Sequence, residues 1–410
     1  MTKRTDEKLV VGLDIGTSKV LAVIGEVAGD GAVRVIGVGQ APSRGLRKGV
    51  VVNIDSTVQS IQRAIEEAEI MAGCQVHSVC AGIAGTHISS FNSHGMVAIK
   101  EKEVATNDVS RVLEAARAIA VPTEQQILHV LPQEYIIDRQ EGIREPLGMS
   151  GVRLEARVHV VLGAVSAQQN IIKCVQRCGR EADAVVVDQI ASGMATLTDD
   201  ERDLGVCLVD IGGGTTDISV YTEGAIRHTA VIPIAGDQVT NDIAVALRTT
   251  TPNAEEIKVK HGCALTRLAG VEPIEVPGNG DRPARRLSRH LLAEVIEPRI
   301  EELYGLVRRE LQRSGFEAAI GAGIVVAGGS GAMRGMVELG EEVFNVPVRI
   351  GTPRLVTGLN GAAGNPGYAT GVGLLMFGAR LRAERGFARG PAAGVKGVMG
   401  RVRTLIQGYF

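Results

Sequence analysis

One pattern occurs twice in this chain and fixes most of what it can become. VVGLDIGTSKVLAVIGEV near the start and VCLVDIGGGTTDISVYTEG half a chain later both read as apolar strand, Asp, Gly-bearing turn, second apolar strand. Asp14 falls on Asp210 and Gly16 on Gly212, since 210 − 14 and 212 − 16 are both 196. A unit repeated once at that distance predicts two related halves, not the 20–50-residue period of a solenoid. A chance DIG match is the alternative, and the matched flanking strands argue against it. The 410 residues allow two to four domains or one large two-lobed body.

Composition narrows the classes. At 45% hydrophobic and 22% charged, the chain is an ordinary globular one, which excludes disorder, coiled coil and collagen. Lys+Arg 44 against Asp+Glu 46 disfavours a global polyanion binder. With 3% aromatics and no Trp there are few stacking platforms, so no nucleic-acid partner is expected. The charge is uneven, however: residues 380–410 hold seven Arg or Lys against one Glu. The six cysteines are scattered. Cys174 and Cys178 share a helix face, but no second pair completes a zinc site, so small core residues are expected. The start MTKRTDEKLVVGLD passes from charge straight into a strand, so a reducing cytosolic setting is expected. No run of about 18 apolar residues offers a spanning helix.

Periodicity places the elements. Residues 9–13, 20–26 and 33–38 read as strands, and 54–73 as a helix with Asp55 as N-cap and Val58, Ile61, Ile65, Ala68 and Ala72 on one face. Residues 75–84 return to strand. From about 85 to 162 the Gly-rich loops stop, and a helix at 108–120 with strands at 128–138 and 152–162 marks a separate small α/β module. A helix follows at 166–180 and a buried strand at 184–187. Residues 226–232 are the third strand of the second copy. Residues 237–318 are helix-rich, interrupted at 276–283. A buried strand at 324–327 enters GGSG and a helical run to 344. Residues 370–381 read as an apolar helix, and 382–394 as a linker.

Each turn of the repeat is suited to phosphate. Gly16, Gly212, Gly213 and Gly214 let backbone amides approach an anion closely. Thr17, Ser18, Thr215 and Thr216 offer hydroxyls, and Lys19 offers a charge for terminal phosphates. Asp14 and Asp210 suit Mg²⁺, which prefers oxygen ligands. One such hairpin alone would be an ordinary turn; two facing each other form a clamp. Gly328, Gly329 and Ser330 make a strand-to-helix turn for a purine ring or α-phosphate, or else a plain tight turn. Glu255 and Lys258, three apart on a helix face, read either as a surface ion pair or as a ribose contact.

In this order, the four elements resemble the actin-like ATPase superfamily. Within it the whole chain resembles the FtsA family of bacterial cell-division proteins, through LVVGLDIGTSK, HVLPQEYIID, EPLGMSGVRLEARVHVV, ERDLGVCLVDIGGGTTD and AEEIKVKHGCAL. The resemblance implies an α/β, actin-like two-lobed fold of duplicated ribonuclease-H-like domains. Its first large subdomain would span 1–84 and 164–203, and the FtsA-type insert 85–163. The second large subdomain would span 204–236 and 319–363, around a small subdomain at 237–318. A return helix (364–381), the linker (382–394) and an amphipathic helix (395–410) would follow. It also implies ATP with Mg²⁺, filament self-assembly, docking of the FtsZ C-terminal tail on the small subdomain, recruitment of later division proteins by the insert, and a peripheral place on the cytoplasmic side of the membrane at the division site. Arg285, Arg286 and Arg289 are a basic cluster within the small subdomain, read as a solvated face or as a seat for an acidic peptide.

The last sixteen residues have their own physics. Val395, Val398, Met399, Val402, Leu405, Ile406 and Tyr409 form one helix stripe, with Lys396, Arg401 and Arg403 off it. Such a segment is too short and too charged to span a bilayer core of about 30 Å. It suits a helix lying in the interface of an anionic membrane. Packing on the protein's own body is the alternative. No Gln or Glu announces itself as a water-orienting residue, so slow, assembly-linked ATP hydrolysis is expected, with nucleotide chiefly a conformational switch. The rivals on this fold are a small-molecule kinase and a chaperone or pilus-assembly ATPase.

Overall fold

The computed structural model describes residues 9–28, 31–278, 283–354, 356–358 and 364–388, with side chains to 383. It holds two large sheets and a smaller inserted one.

The first lobe is a six-stranded sheet ordered Glu181–Val187, Ser78–Ile83, Leu9–Ile15, Lys19–Val27, Val33–Pro42 and Val356–Gly358. The helix Ile54–Ala72 covers one face. Its apolar residues recur at helical spacing, so Ile61, Ala64, Ile65 and Ala68 bury against Leu13, Ala22 and Ile24. Each buried Ile contributes roughly 1.5–3 kcal/mol. The approach is close: a Cβ on Gly39 would lie 2.0 Å from the Ala64 carbonyl oxygen. The N-cap is Asn53, whose side chain accepts the Ser56 amide, and not Asp55, which is the second residue of the helix. Gly73 ends it in the left-handed conformation. On the other face lie the helices Asp188–Thr196 and Ala369–Ala388, which cross backbone to backbone; a Cβ on Gly373 would stand 1.8 Å from Ala191 O. The last helix runs to Ala388, so the linker expected from residue 382 is helical over its first half, where Ala, Glu and Arg favour helix. The stripe of Val395, Val398, Met399, Val402, Leu405, Ile406 and Tyr409, with Lys396, Arg401 and Arg403, lies outside the described residues.

The insert is an antiparallel sheet ordered Ser89–Ala98, Arg153–Ala164, Gln125–Ile137 and Gln140–Ile143, backed by the helix Thr106–Arg117. Its first strand went unread in the sequence because SSFNSHG lacks apolar alternation. Pairing with Arg153–Ala164, from Leu162↔Ser89 to Arg153↔Ala98, makes it a strand.

The second lobe is a five-stranded sheet ordered Ala225–Ile232, Thr216–Thr222, Val206–Ile211, Ile324–Ala327 and Val348–Ile350. The helices Gly236–Ala246, Thr251–His261, Arg289–Ser314 and Met336–Phe344 bury Val239, Ile243, Ile296, Ile300 and Leu339 on one face. The interruption expected at 276–283 is bordered by a strand pair, Pro273–Val276 and Arg285–Ser288. After the Gly-rich turn comes only a 3-10 turn, Ser330–Ala332; the α-helix starts at Met336 because Gly335, at φ 87, breaks the run. A shared core of Ile83, Val187, Ile190, Val206, Leu208 and Tyr221, joined by Leu131 and Val161 of the insert, holds the three bodies together.

The repeat is structural to the residue. Asp14 pairs Leu21 and Ile15 pairs Val20; 196 positions on, Asp210 pairs Asp217 and Ile211 pairs Thr216. Each hairpin is closed by the same bond: Gly16 N–H donates to Lys19 O at 3.1 Å and Gly212 N–H to Thr215 O at 3.0 Å.

Candidate nucleotide cleft

The two hairpin tips come together and both line one cleft of about 620 Å³. Asp14, Gly16, Thr17, Ser18 and Lys19 line it from one lobe, and Asp210, Gly212, Gly213, Gly214 and Thr215 from the other. Glu255, Lys258, Gly328, Gly329 and Ser330 complete the wall. Thr216 is the exception among the expected residues. It is fully buried and its hydroxyl donates to Ile234 O at 2.8 Å, because side chains alternate along the strand and Thr215 takes the cleft side.

The second loop is braced from behind. Ser330 Oγ donates to Gly212 O at 2.9 Å, Gly236 N–H to the same oxygen at 3.1 Å, and Asp237 N–H to Gly213 O at 2.8 Å. Lys258 is no surface residue: it is 7% exposed, pairs with Glu255 at 2.7 Å, and donates to Gly236 O at 3.1 Å and Thr240 Oγ1 at 2.9 Å. Its ammonium therefore helps hold the chain that follows the loop. In the basic cluster, Arg285 donates to Leu247 O, and Arg289 to His261 O at 2.9 Å and Glu272 at 3.1 Å, so two of its three arginines already have partners within the chain.

The floor is acidic. Asp14, Asp188, Asp210 and Asp217 all line the cleft. Burial pushes Asp14 up to about 7, with Lys19 opposing and Asp210 adding to the rise. Burial pushes Asp217 up to about 8, reinforced by Asp210. Asp188 is raised by burial and then by Asp14, Asp217 and Asp210. Burial lowers Lys19, whose Nζ stands 4.6 Å from the Tyr368 ring centre. Burial thus favours the protonated forms of these carboxyl groups, with Lys19 the cation that opposes it at Asp14 and Asp210, and a divalent cation would favour their ionised forms. Asp188 Oδ1 and Asp217 Oδ1 are buried with no hydrogen-bond partner, which fits an oxygen-seeking cation and its water shell. The described residues hold no group of three or more His, Cys, Asp or Glu set to grip a metal by themselves. Mg²⁺ needs none, since it binds through one or two carboxylates, waters and phosphate oxygens.

Sequence reading missed Asp188 and Asp217. The signal was present: VVVD, like GLD and LVD, is an apolar strand ending in Asp, and Asp217 ends the GGGTTD turn. The Asn365–Gly367 turn was also missed; it reaches the cleft because Gly328 N–H donates to Pro366 O at 3.2 Å.

A duplicated strand–Asp–turn–strand on each side of a cleft, with helices returning between lobes, defines an actin-like protein. Solved structures agree on the fold. The PilM-PilN type IV pilus biogenesis complex aligns with TM-score 0.66 at 19% identity, covering 90% of this chain and 98% of that one. MreB 5 of Spiroplasma citri bound to AMPPNP aligns with TM-score 0.59 at 14% identity, covering 94% and 100%. The family profile "Cell division protein FtsA" matches residues 207–373, and "SHS2 domain inserted in FTSA" matches 85–162. The cell division protein FtsA of Pseudomonas aeruginosa is 60% identical, covering 98% of each chain. That of Neisseria meningitidis is 48% identical (98% and 99%) and that of Escherichia coli K12 51% identical (92% of each). The chain belongs to the FtsA family of cell-division proteins.

Proposed function

We propose that this chain binds Mg·ATP in the cleft, assembles with copies of itself, and ties FtsZ filaments to the inner face of the cytoplasmic membrane through residues 395–410. The observation that carries the reading is the matched pair of turns, Gly16–Lys19 and Gly212–Thr215, opposed across a cleft with an aspartate beneath each. In this reading the backbone of Gly16, Gly213 and Gly214 takes the phosphates, Lys19 neutralises the terminal one, and Glu255 meets the ribose. Asp14 and Asp210 hold the cation's waters, and the cation supplies charge neutralisation for the phosphates. Asp188, with one free buried oxygen, is the group placed to orient a water, and no strong base accompanies it, so turnover is slow. Later division proteins dock on the insert and the FtsZ tail on the small subdomain.

Among the described residues no helix is long and apolar enough to cross a membrane. The Val395–Tyr409 stripe would lie in the interface. One such helix binds reversibly, and a filament that carries many binds firmly, so attachment and assembly are coupled. The kinase and chaperone rivals give the basic amphipathic segment no role. The test is sedimentation with anionic vesicles of the full chain and of a chain ending at Gly394, with and without ATP and an FtsZ tail peptide. Full-length protein should pellet, more so with ATP, and carry the peptide; the shortened chain should stay in solution. Equal pelleting of both chains, or sugar-stimulated ATP consumption, would overturn the reading.

A further inference from the structure

We propose that Ser192 and Thr370 form a hydroxyl clasp that fixes the carboxylate of Asp210 and thereby sets how tightly the cleft takes a divalent cation. Asp210 is the next-to-last residue of the strand Val206–Ile211 of the second lobe. Both hydroxyls come from the other side: Ser192 from the helix Asp188–Thr196 and Thr370 from the first turn of the helix Ala369–Ala388.

Ser192 Oγ donates to Asp210 Oδ2, Thr370 Oγ1 donates to the same oxygen at 3.1 Å, and the two hydroxyls lie 2.9 Å apart. Two hydroxyl protons thus serve three contacts, and at least one always points at Oδ2. Oδ1 is left on the side of the Gly328 turn, where a Cβ would come within 2.4 Å of it. One oxygen is held, and the other lies beside the Gly328 turn that lines the cleft.

The platform is stiff. Ser192 is fully buried. The two helices meet at Gly373 and Ala191, and Met194, Ala195, Val372 and Met376 pack together beside them. The hydroxyls therefore cannot drift apart without breaking that packing. A carboxylate whose rotamer is preset loses less freedom when it takes a cation's water shell. Because the clasp joins Asp210 to the helix Ala369–Ala388, which packs on the first lobe's sheet, and to the helix Asp188–Thr196, which packs between the two sheets, the cation site is correct only when the two lobes hold this relation. That is a property of tertiary structure which neither hairpin carries alone.

The inference rests on the cleft binding Mg·ATP, and the experiment separates the two. Binding of a fluorescent ATP analogue to the full chain is titrated in EDTA and again over a range of Mg²⁺, for wild type, Thr370→Val, Thr370→Ser and Ser192→Ala. Thr370→Val and Ser192→Ala should raise the Mg²⁺ needed for half-maximal enhancement by about tenfold, the scale of one lost charge-assisted hydrogen bond. Affinity in EDTA should stay within about twofold, and Thr370→Ser should match wild type. A Mg²⁺ dependence unchanged in Thr370→Val overturns the clasp, as does an equal loss in EDTA, which would mark a purely structural role. Should Ser192→Ala not fold, the Thr370 pair decides alone. No saturable nucleotide binding by wild type would remove the cleft reading and the clasp with it.

Discussion

Thr17 and Gly214 meet across the cleft: a Cβ on Gly214 would stand 2.6 Å from Thr17 Oγ1. The same hydroxyl accepts the Gly49 amide at 3.0 Å, and that Cβ would also lie 2.9 Å from Lys48 Cα. The tips of the two hairpins and the segment at 48–49 are therefore packed to contact, and there is room for hydrogen and for little else.

Gly214→Ala should push the two tips apart. Nucleotide affinity should fall by tenfold or more, read by titration with a fluorescent ATP analogue, and Thr17→Ser should not restore it, since the Lys48 backbone remains in the way. Undiminished affinity in Gly214→Ala would show that the tips separate freely.

Lys258 is buried with its ammonium shared among Glu255, Gly236 and Thr240. Glu255→Gln removes the charge partner and leaves the ammonium without it. The expected loss is about 1–3 kcal/mol by chemical denaturation, larger than the ~0.5 kcal/mol typical of an exposed pair. Lys260→Ala, which breaks an exposed pair with Glu256, is the control and should change stability little.

Two buried histidines set an acid limit. Burial holds His129 down at about 4, and holds His159 down at about 3 with help from His228. His129 Nε2 accepts the Val187 amide at 3.1 Å, and a proton there would face an N–H. In the unfolded chain both titrate near 6.5. Below that value the unfolded state binds more protons at these two sites, so their contribution to stability is full above it and falls as pH is lowered toward the folded values. The slope is about 1.4 kcal/mol per pH unit for each group. Asp14 and Asp217, which burial raises to about 7 and about 8, act in the opposite sense over the same interval, so the comparison is between chains: on going from about pH 7 to about pH 5 the urea midpoint of His159→Gln should gain on that of wild type. Identical pH dependence in the two chains would contradict the assignment.

Asn53 caps the first long helix. Asn53→Ala should cost about 1 kcal/mol. Asp55→Ala should cost less, since its 2.7 Å pair with Arg177 is exposed. Circular-dichroism melts of the two variants give the ranking.

The chain order alone determined the duplicated hairpins and their Gly-bearing turns, because these depend on residues near one another and on a period of two. The family likeness was legible for the same reason. The strand Ser89–Ala98 was not legible, since a polar strand is made by its neighbour's hydrogen bonds, nor was the end of the last helix at Ala388. Only the folded chain decided that Lys258 is buried, that Thr216 turns away while Thr215 faces the cleft, and that Asp188 and Asp217 join Asp14 and Asp210. Carboxylates far apart in sequence become one electrostatic unit only when packing excludes the water between them, and no local pattern encodes that exclusion.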